Sequence, residues 1–233
     1  GIRDQPRSRG LGDVYKRQGR KVLIRSDDGT DVTARFPTIV DMAQKLPHSC
    51  VLDCEVEMWV EGKHRGREEV SGYVHRQDKP DDSNIVFNVF DCLYFDDPEW
   101  EHHELPSTVG DLHKHPYSVR LRYLELIAAK LGWQSTMDVP KVPGFNLTPS
   151  IVVRKEEELG DAIKKCCNAV ASEGAMVKSL KSTYPLSGLT RKWVKYKTMA
   201  DVHAVVIERL PTKTPGVYRY RVGLLIPPGW KVP

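Results

Sequence analysis

The stretch Ile85–Phe95 (IVFNVFDCLYF) is apolar almost throughout, and that run limits the fold more than any other feature of the chain. A strand so uniformly apolar is buried on both faces, so packed layers must lie on either side of it. Asn88 and Asp91 are its only polar interruptions, and buried polar groups need partners. On an alternating strand Phe90 and Asp91 point to opposite faces. Phe90 can then offer its ring to a ligand while Asp91 bonds neighbouring backbone.

Val51–Val60 is a second strand, with Leu52, Cys54, Val56, Met58 and Val60 on a core face. The other face carries Asp53, Glu55 and Glu57. Same-face residues on a strand sit about 7 Å apart, so three anions in a row repel unless water, bases or a cation offsets them. This face is either solvated or an acidic wall for a metal ion. Trp193–Lys197 alternates in the same way and puts Trp193, Lys195 and Lys197 together. Two ammonium groups so placed suit a phosphate, or else mark a solvated basic edge.

Between these strands the periodicity predicts further elements. Lys21–Arg25 is a short strand ending in the turn Asp27-Asp28-Gly29, and Phe36–Leu46, opened by Pro37, is a helix. Gln77–Asn84 and Glu99–His115 are polar loops. Tyr117, Leu121, Leu124, Ile127 and Leu131 form a helical stripe that Gly132 ends. Ile151–Arg154 is a strand and Glu156–Val170 a helix, with acidic residues first and Lys164-Lys165 later, as the helix dipole favours. Ser172–Lys178 is a turn into a strand. His102, His103, His113 and His115 lack cysteines at zinc spacing.

Composition excludes several classes. At 233 residues, 40% hydrophobic and 28% charged, the chain is neither disordered nor rich enough in apolar runs to span a membrane by helices. Five cysteines, two of them adjacent, suit a reducing intracellular setting. The net charge of +4 says little about nucleic acid, because residues 1–18 supply most of it through Arg3, Arg7, Arg9, Lys16 and Arg17. That segment has no apolar periodicity. Its end, Asp13–Gln18, matches the translation of a transposon end used in sequencing libraries, so it is expected to be non-native, with a genuine disordered arm as the other reading.

Taken in order, the segments resemble the nucleotidyltransferase motifs of ATP-dependent DNA ligases. The matching stretches are LIRSDDGTDVTARFP (Leu23–Pro37), LDCEVEMW (Leu52–Trp59), FNVFDCLYFD (Phe87–Asp96), SEGAMVK (Ser172–Lys178) and RKWVKYK (Arg191–Lys197). Pro116–Arg120 with Leu124-Glu125, and Tyr184 before Arg191, are similar to the family as well. The resemblance implies an α+β, ATP-grasp-like domain of antiparallel sheets with packed helices over 19–200, then the start of an OB-fold barrel over 201–233. Val202–Glu208 and Val217–Ile226 alternate like its first strands.

The resemblance also assigns roles. Phe90 stacks on adenine, Glu55 contacts ribose or a metal-bound water, and Glu173 holds Mg2+. Lys195, Lys197 and Lys178 act on the α-phosphate, while Arg191 and Trp193 contact nucleotide. In the family a lysine attacks the α-phosphorus of ATP and releases pyrophosphate. AMP passes to the 5′-phosphate of nicked duplex DNA, and the 3′-hydroxyl displaces it, a chemistry that serves repair, replication and recombination. A monomer acting inside the cell, nuclear in a eukaryote, is expected. That lysine sits in a Lys-x-Asp-Gly motif, which this sequence does not contain, so the gene is expected to be truncated upstream and this polypeptide not to adenylate itself. Cys54 stands where the family has glycine, and Asp27 where it has arginine. Other readings are an RNA ligase, an mRNA-capping guanylyltransferase, and a non-catalytic nucleotide- or DNA-binding module.

Overall fold

The structure is a computed structural model that describes residues 12–18 as backbone and, with side chains, 21–46, 49–76, 78, 80–96, 110–186, 190–197 and 204–223, with the backbone of 224. Strands β1 (Gly12–Gln18) and β2 (Lys21–Arg25) lead to helix α1 (Pro37–Gln44). Pro37 opens α1 because a helix's first N–H needs no partner. The long strand β3 (Ser49–Val60) turns into β4 (Lys63–Arg65), and helix α2 (Arg67–His75) precedes β5 (Ile85–Asp96). Next come β6 (Gly110–Asp111), helix α3 (Tyr117–Leu131), β7 (Gly144–Leu147) and helix α4 (Leu159–Cys167). The strands β8 (Gly174–Lys178), β9 (Trp193–Lys197), β10 (Ala204–Pro211) and β11 (Tyr218–Leu224) follow.

Seven strands make one sheet in the order β2-β1-β3-β5-β6, with β4 added to β3 and β7 to β5. The β5–β7 pair is parallel, so the sheet is mixed rather than wholly antiparallel. The backbone of Gly12–Gln18, whose composition predicts no part in the fold, pairs with both β2 and β3. Strands β8 and β9 form their own two-stranded sheet. The chain divides into two compact units, 1–196 and 197–233. Within the second, β10 and β11 are an antiparallel pair with a bulge after Val206 and largely exposed apolar side chains. A pair of strands is all that is described of the expected barrel.

The core of the first unit lies between this sheet and α1 and α3. Phe87 on β5 is its centre: its ring meets Phe36 edge-on at 5.2 Å and Phe145 at 5.9 Å, and Phe145 stacks on Trp133 at 4.9 Å. The stripe read for α3 buries Tyr117, Leu121, Leu124 and Ile127. Gly132 caps that helix at φ 65°, where a side chain would be strained.

Two local expectations fail. Ile151–Arg154 forms no strand; Ile151 and Val152 are exposed, since a short apolar run becomes a strand only beside an open sheet edge. The helix expected over Glu156–Val170 is a 3-10 turn at Glu156–Glu158 and then α4 alone. His102 and His103 lie outside the described residues. His113 bonds Asp111, and no three potential metal ligands converge among the described residues.

Candidate functional site

The registry of β3 and β5 decides where the polar residues of the central strands go. Asp53 pairs with Asp91 and Cys54 with Val89, so Phe90 is the extra residue of a β-bulge. A bulge re-aims the side chains around it. Phe90 and Asp91 consequently do not diverge to opposite faces as an alternating strand would have them. Both reach Lys178 of β8, whose Nζ lies 4.9 Å from the Phe90 ring centroid and 3.6 Å from Asp91 Oδ2.

Asp91 is wholly buried, and its main partner is Arg120 from the buried face of α3. Arg120 Nε donates to Oδ1 at 2.7 Å and Nη2 to Oδ2 at 3.1 Å, a two-point clamp. The backbone bond foreseen for Asp91 is also there, from Cys92 N at 2.9 Å. Arg120 Nη1 donates in addition to the carbonyls of His115 and Ser182. The ion pair thereby ties β5 and α3 to the loop between β8 and β9.

Lys178, expected on a phosphate, has 8% of its side chain exposed. Its ammonium sits among three rings, 4.2 Å from Trp193, 4.5 Å from Tyr117 and 4.9 Å from Phe90, and reaches the Phe90 carbonyl at 3.4 Å. Burial lowers its pKa, against the pull of Asp91 and Asp53. Trp193 is held in turn by an Nε1 bond to Ser182 Oγ at 2.9 Å and an edge contact with Tyr184 at 5.5 Å. Tyr184 Oη donates to Asp53 Oδ2 at 2.6 Å. Burial pushes Asp53 up to about 6, with Asp91 adding to the effect. Asp53 is therefore not part of a solvated acidic face.

The other residues singled out from sequence lie outside this buried cluster. Glu55 reaches solvent, yet the protein packed around it raises its pKa; Glu57 and Glu173 add to the rise, and Lys195 and Arg67 oppose it. Glu55 therefore feels Glu173 and Lys195, although the three come from motifs far apart in sequence. Lys195 and Lys197 lie exposed on one side of β9, and Arg191 is exposed just before it. Glu173 stands at a tight turn in which Ser172 Oγ donates to the Gly174 carbonyl at 2.9 Å, with Gly174 at φ 139°.

Mg2+ binds through one or two carboxylates and leans on substrate phosphates for the rest of its shell. Glu55 and Glu173 are carboxylates of the kind such a donor set uses, and Glu173 is among the charges that Glu55 feels. Sequence reasoning missed Arg120 as a site residue, although a signal was present: it occupies a position on the apolar stripe of α3, three residues after Tyr117 and four before Leu124.

A sequence profile described as the ATP-dependent DNA ligase domain matches residues 12–197. No protein of curated function matches the chain. Among solved structures, the chain is similar to a mycobacterial DNA ligase D complexed with ATP and MES. The two share 22% identity and a TM-score of 0.58, over 87% of this chain and 56% of that one. The ligase domain of LigD from M. tuberculosis gives the same identity and TM-score over 91% and 62%. A Lig E DNA ligase is similar at 16% identity and TM-score 0.50, over 87% and 65%. The chain thus spans less than two thirds of the length of each, and at these identities the likeness is one of fold. With four-fifths of its length inside the family's profile, the chain belongs to the ATP-dependent DNA ligase domain family.

Proposed function

We propose that this chain supplies most of the adenylation domain of an ATP-dependent DNA ligase that seals nicks in duplex DNA. The domain would run over 19–200, with the opening strands of an OB-fold at 201–233 and a non-native segment at 1–18. The observation that carries the reading is the match of the ligase-domain profile to residues 12–197, and the influence of Glu173 and Lys195 on the Glu55 carboxyl agrees with it. Like carboxylates gathered beside a lysine are costly without a ligand, and a metal-bound polyphosphate resolves that conflict.

In this reading Phe90 stacks on adenine, because a flat ring recognises a base by its π-face. Glu55 and Glu173 hold Mg2+, which supplies charge neutralisation on the phosphates when bound. Lys195 and Lys197 stabilise charge on the α-phosphate as pyrophosphate leaves, an effect strongest where water is thin. Arg191 makes a further phosphate contact. Trp193 and Lys178, with their polar groups engaged inside the ring cage, act by holding the walls. The sequence contains no Lys-x-Asp-Gly motif, so the 233-residue chain is expected to bind ATP without forming a lysyl-adenylate.

Calorimetric titration with ATP and Mg2+ tests the reading. Saturable binding at one site is expected, weakened about tenfold by Lys195→Ala, the scale of losing a charge-assisted contact. No binding, or binding indifferent to Lys195, would contradict it. A 5′-adenylated nick extends the test to the substrate, since it bypasses the missing nucleophile. The chain should bind this nick in duplex DNA more tightly than the same nick in duplex RNA, and the opposite order would favour an RNA ligase.

A further inference from the structure

Phe90 is set apart from its neighbours by the bulge, and a ring at an extra residue has no cross-strand partner to fix its angle. What it has instead is the ammonium of Lys178, 4.9 Å from its centroid, which also bonds the carbonyl of the same residue at 3.4 Å. That ammonium is anchored from the other side by Asp91 at 3.6 Å, and Asp91 is clamped by Arg120. Its remaining neighbours are the rings of Tyr117 and Trp193. A cation held in this way gains from each ring it faces, and the gain is largest where water is excluded.

On these grounds we infer that Lys178 is a positioning residue for the base: it sets the Phe90 ring rather than touching the phosphates. The inference rests on the reading of Phe90 as the adenine platform. It accounts for a feature that a phosphate ligand would not have. With 8% of its side chain exposed and its ammonium spent on a carboxylate, a carbonyl and three rings, Lys178 has little left to offer an anion in a solvent-filled cleft. The same contacts link Phe90 on β5 to Trp193 on β9, so the ammonium also couples the base platform to the strand that bears Lys195.

The two roles separate in a ligand series, because adenosine has the base and no phosphate. Adenosine, AMP and ATP are titrated against the full chain by ligand-observed NMR, for the wild type and for Lys178→Met. A positioning role predicts the same loss for all three ligands, about tenfold, the scale of a desolvated cation–ring contact. It also predicts that Lys178→Met causes no further loss in a Phe90→Ala background, since both changes then remove one interaction. Lys178→Gln, neutral but still able to donate to Asp91, should reproduce the loss and covers the case in which the methionine variant does not fold. A loss confined to AMP and ATP would overturn the inference in favour of phosphate contact, and unchanged affinities would overturn it outright. Failure of the wild type to bind any of the three would instead sink the adenylate-site reading beneath it.

Discussion

A carboxylate with no solvent-exposed surface is tolerated at Asp91 chiefly because Arg120 clamps both of its oxygens, with Lys178 and the Cys92 amide beside it. Buried ion pairs add little over a well-packed apolar pair, but removing one partner leaves an uncompensated charge. Arg120→Met should therefore cost about 3–5 kcal/mol in urea unfolding; a cost under about 1 kcal/mol would mean that Lys178 alone suffices for Asp91. A second residue-scale prediction concerns the turn after β2. Asp28 Oδ1 accepts from Ser26 Oγ at 2.6 Å and Thr30 N at 3.0 Å, and these bonds, that of Ser26 foremost, lower its pKa to about 2. A carboxyl depressed when folded stabilises the fold above its ordinary pKa of 3.8, and the contribution disappears as the pH falls towards 2. Ser26→Ala should raise the Asp28 pKa towards 3.8 in a carboxyl NMR titration. An unmoved value would assign the depression to Thr30 instead. At this scale the sequence was half legible. A lone Asp in an apolar strand announces a buried partner, and Arg120 on an apolar stripe answers it. The bulge at Phe90 was not visible, because one extra residue leaves no trace in a run that is apolar on both faces.

Among the elements, α3 is fully legible because its stripe, its opening after Pro116 and its Gly132 cap agree with one another. Gly132 lies at φ 65° with open space where a Cβ would stand, so its requirement is purely conformational. Gly132→Ala should cost about 1 kcal/mol in thermal or urea unfolding, and a neutral result would show that the cap relaxes. Helix α2 is not legible, for the opposite reason. It buries only Val70, Tyr73 and Val74, carries Gly72 inside, and its charged first turn reads as a loop. Ile151–Arg154 shows the reverse error: β-branched residues promise a strand, but pairing requires an open edge, which no local pattern can supply. Strand β1 pairs with both β2 and β3 although its sequence shows no apolar alternation, because backbone pairing asks little of a side-chain pattern.

For the whole molecule, the two units differ in how they are held together. The first has a continuous core centred on Phe87, whereas the described part of the second is a two-stranded pair whose Val206, Ile207, Tyr220 and Val222 are all more than half exposed. An isolated pair of strands is marginal in water. Native-state hydrogen exchange should find the amides of β10 and β11 exchanging much faster than those of β3 and β5; equal protection would mean that the second unit has a core of its own. The family was legible from motif order, since five short matches in sequence outweigh any single one. The site was legible only as a set of residues. Which of them face a ligand and which are locked in the ring cage depends on the sheet register. Photolabelling with 8-azido-ATP, followed by peptide mapping, addresses that arrangement most directly. The account predicts label on peptides from 85–96 and 172–197, competed away by ATP. Label confined to other segments, or indifferent to competing ATP, would contradict it.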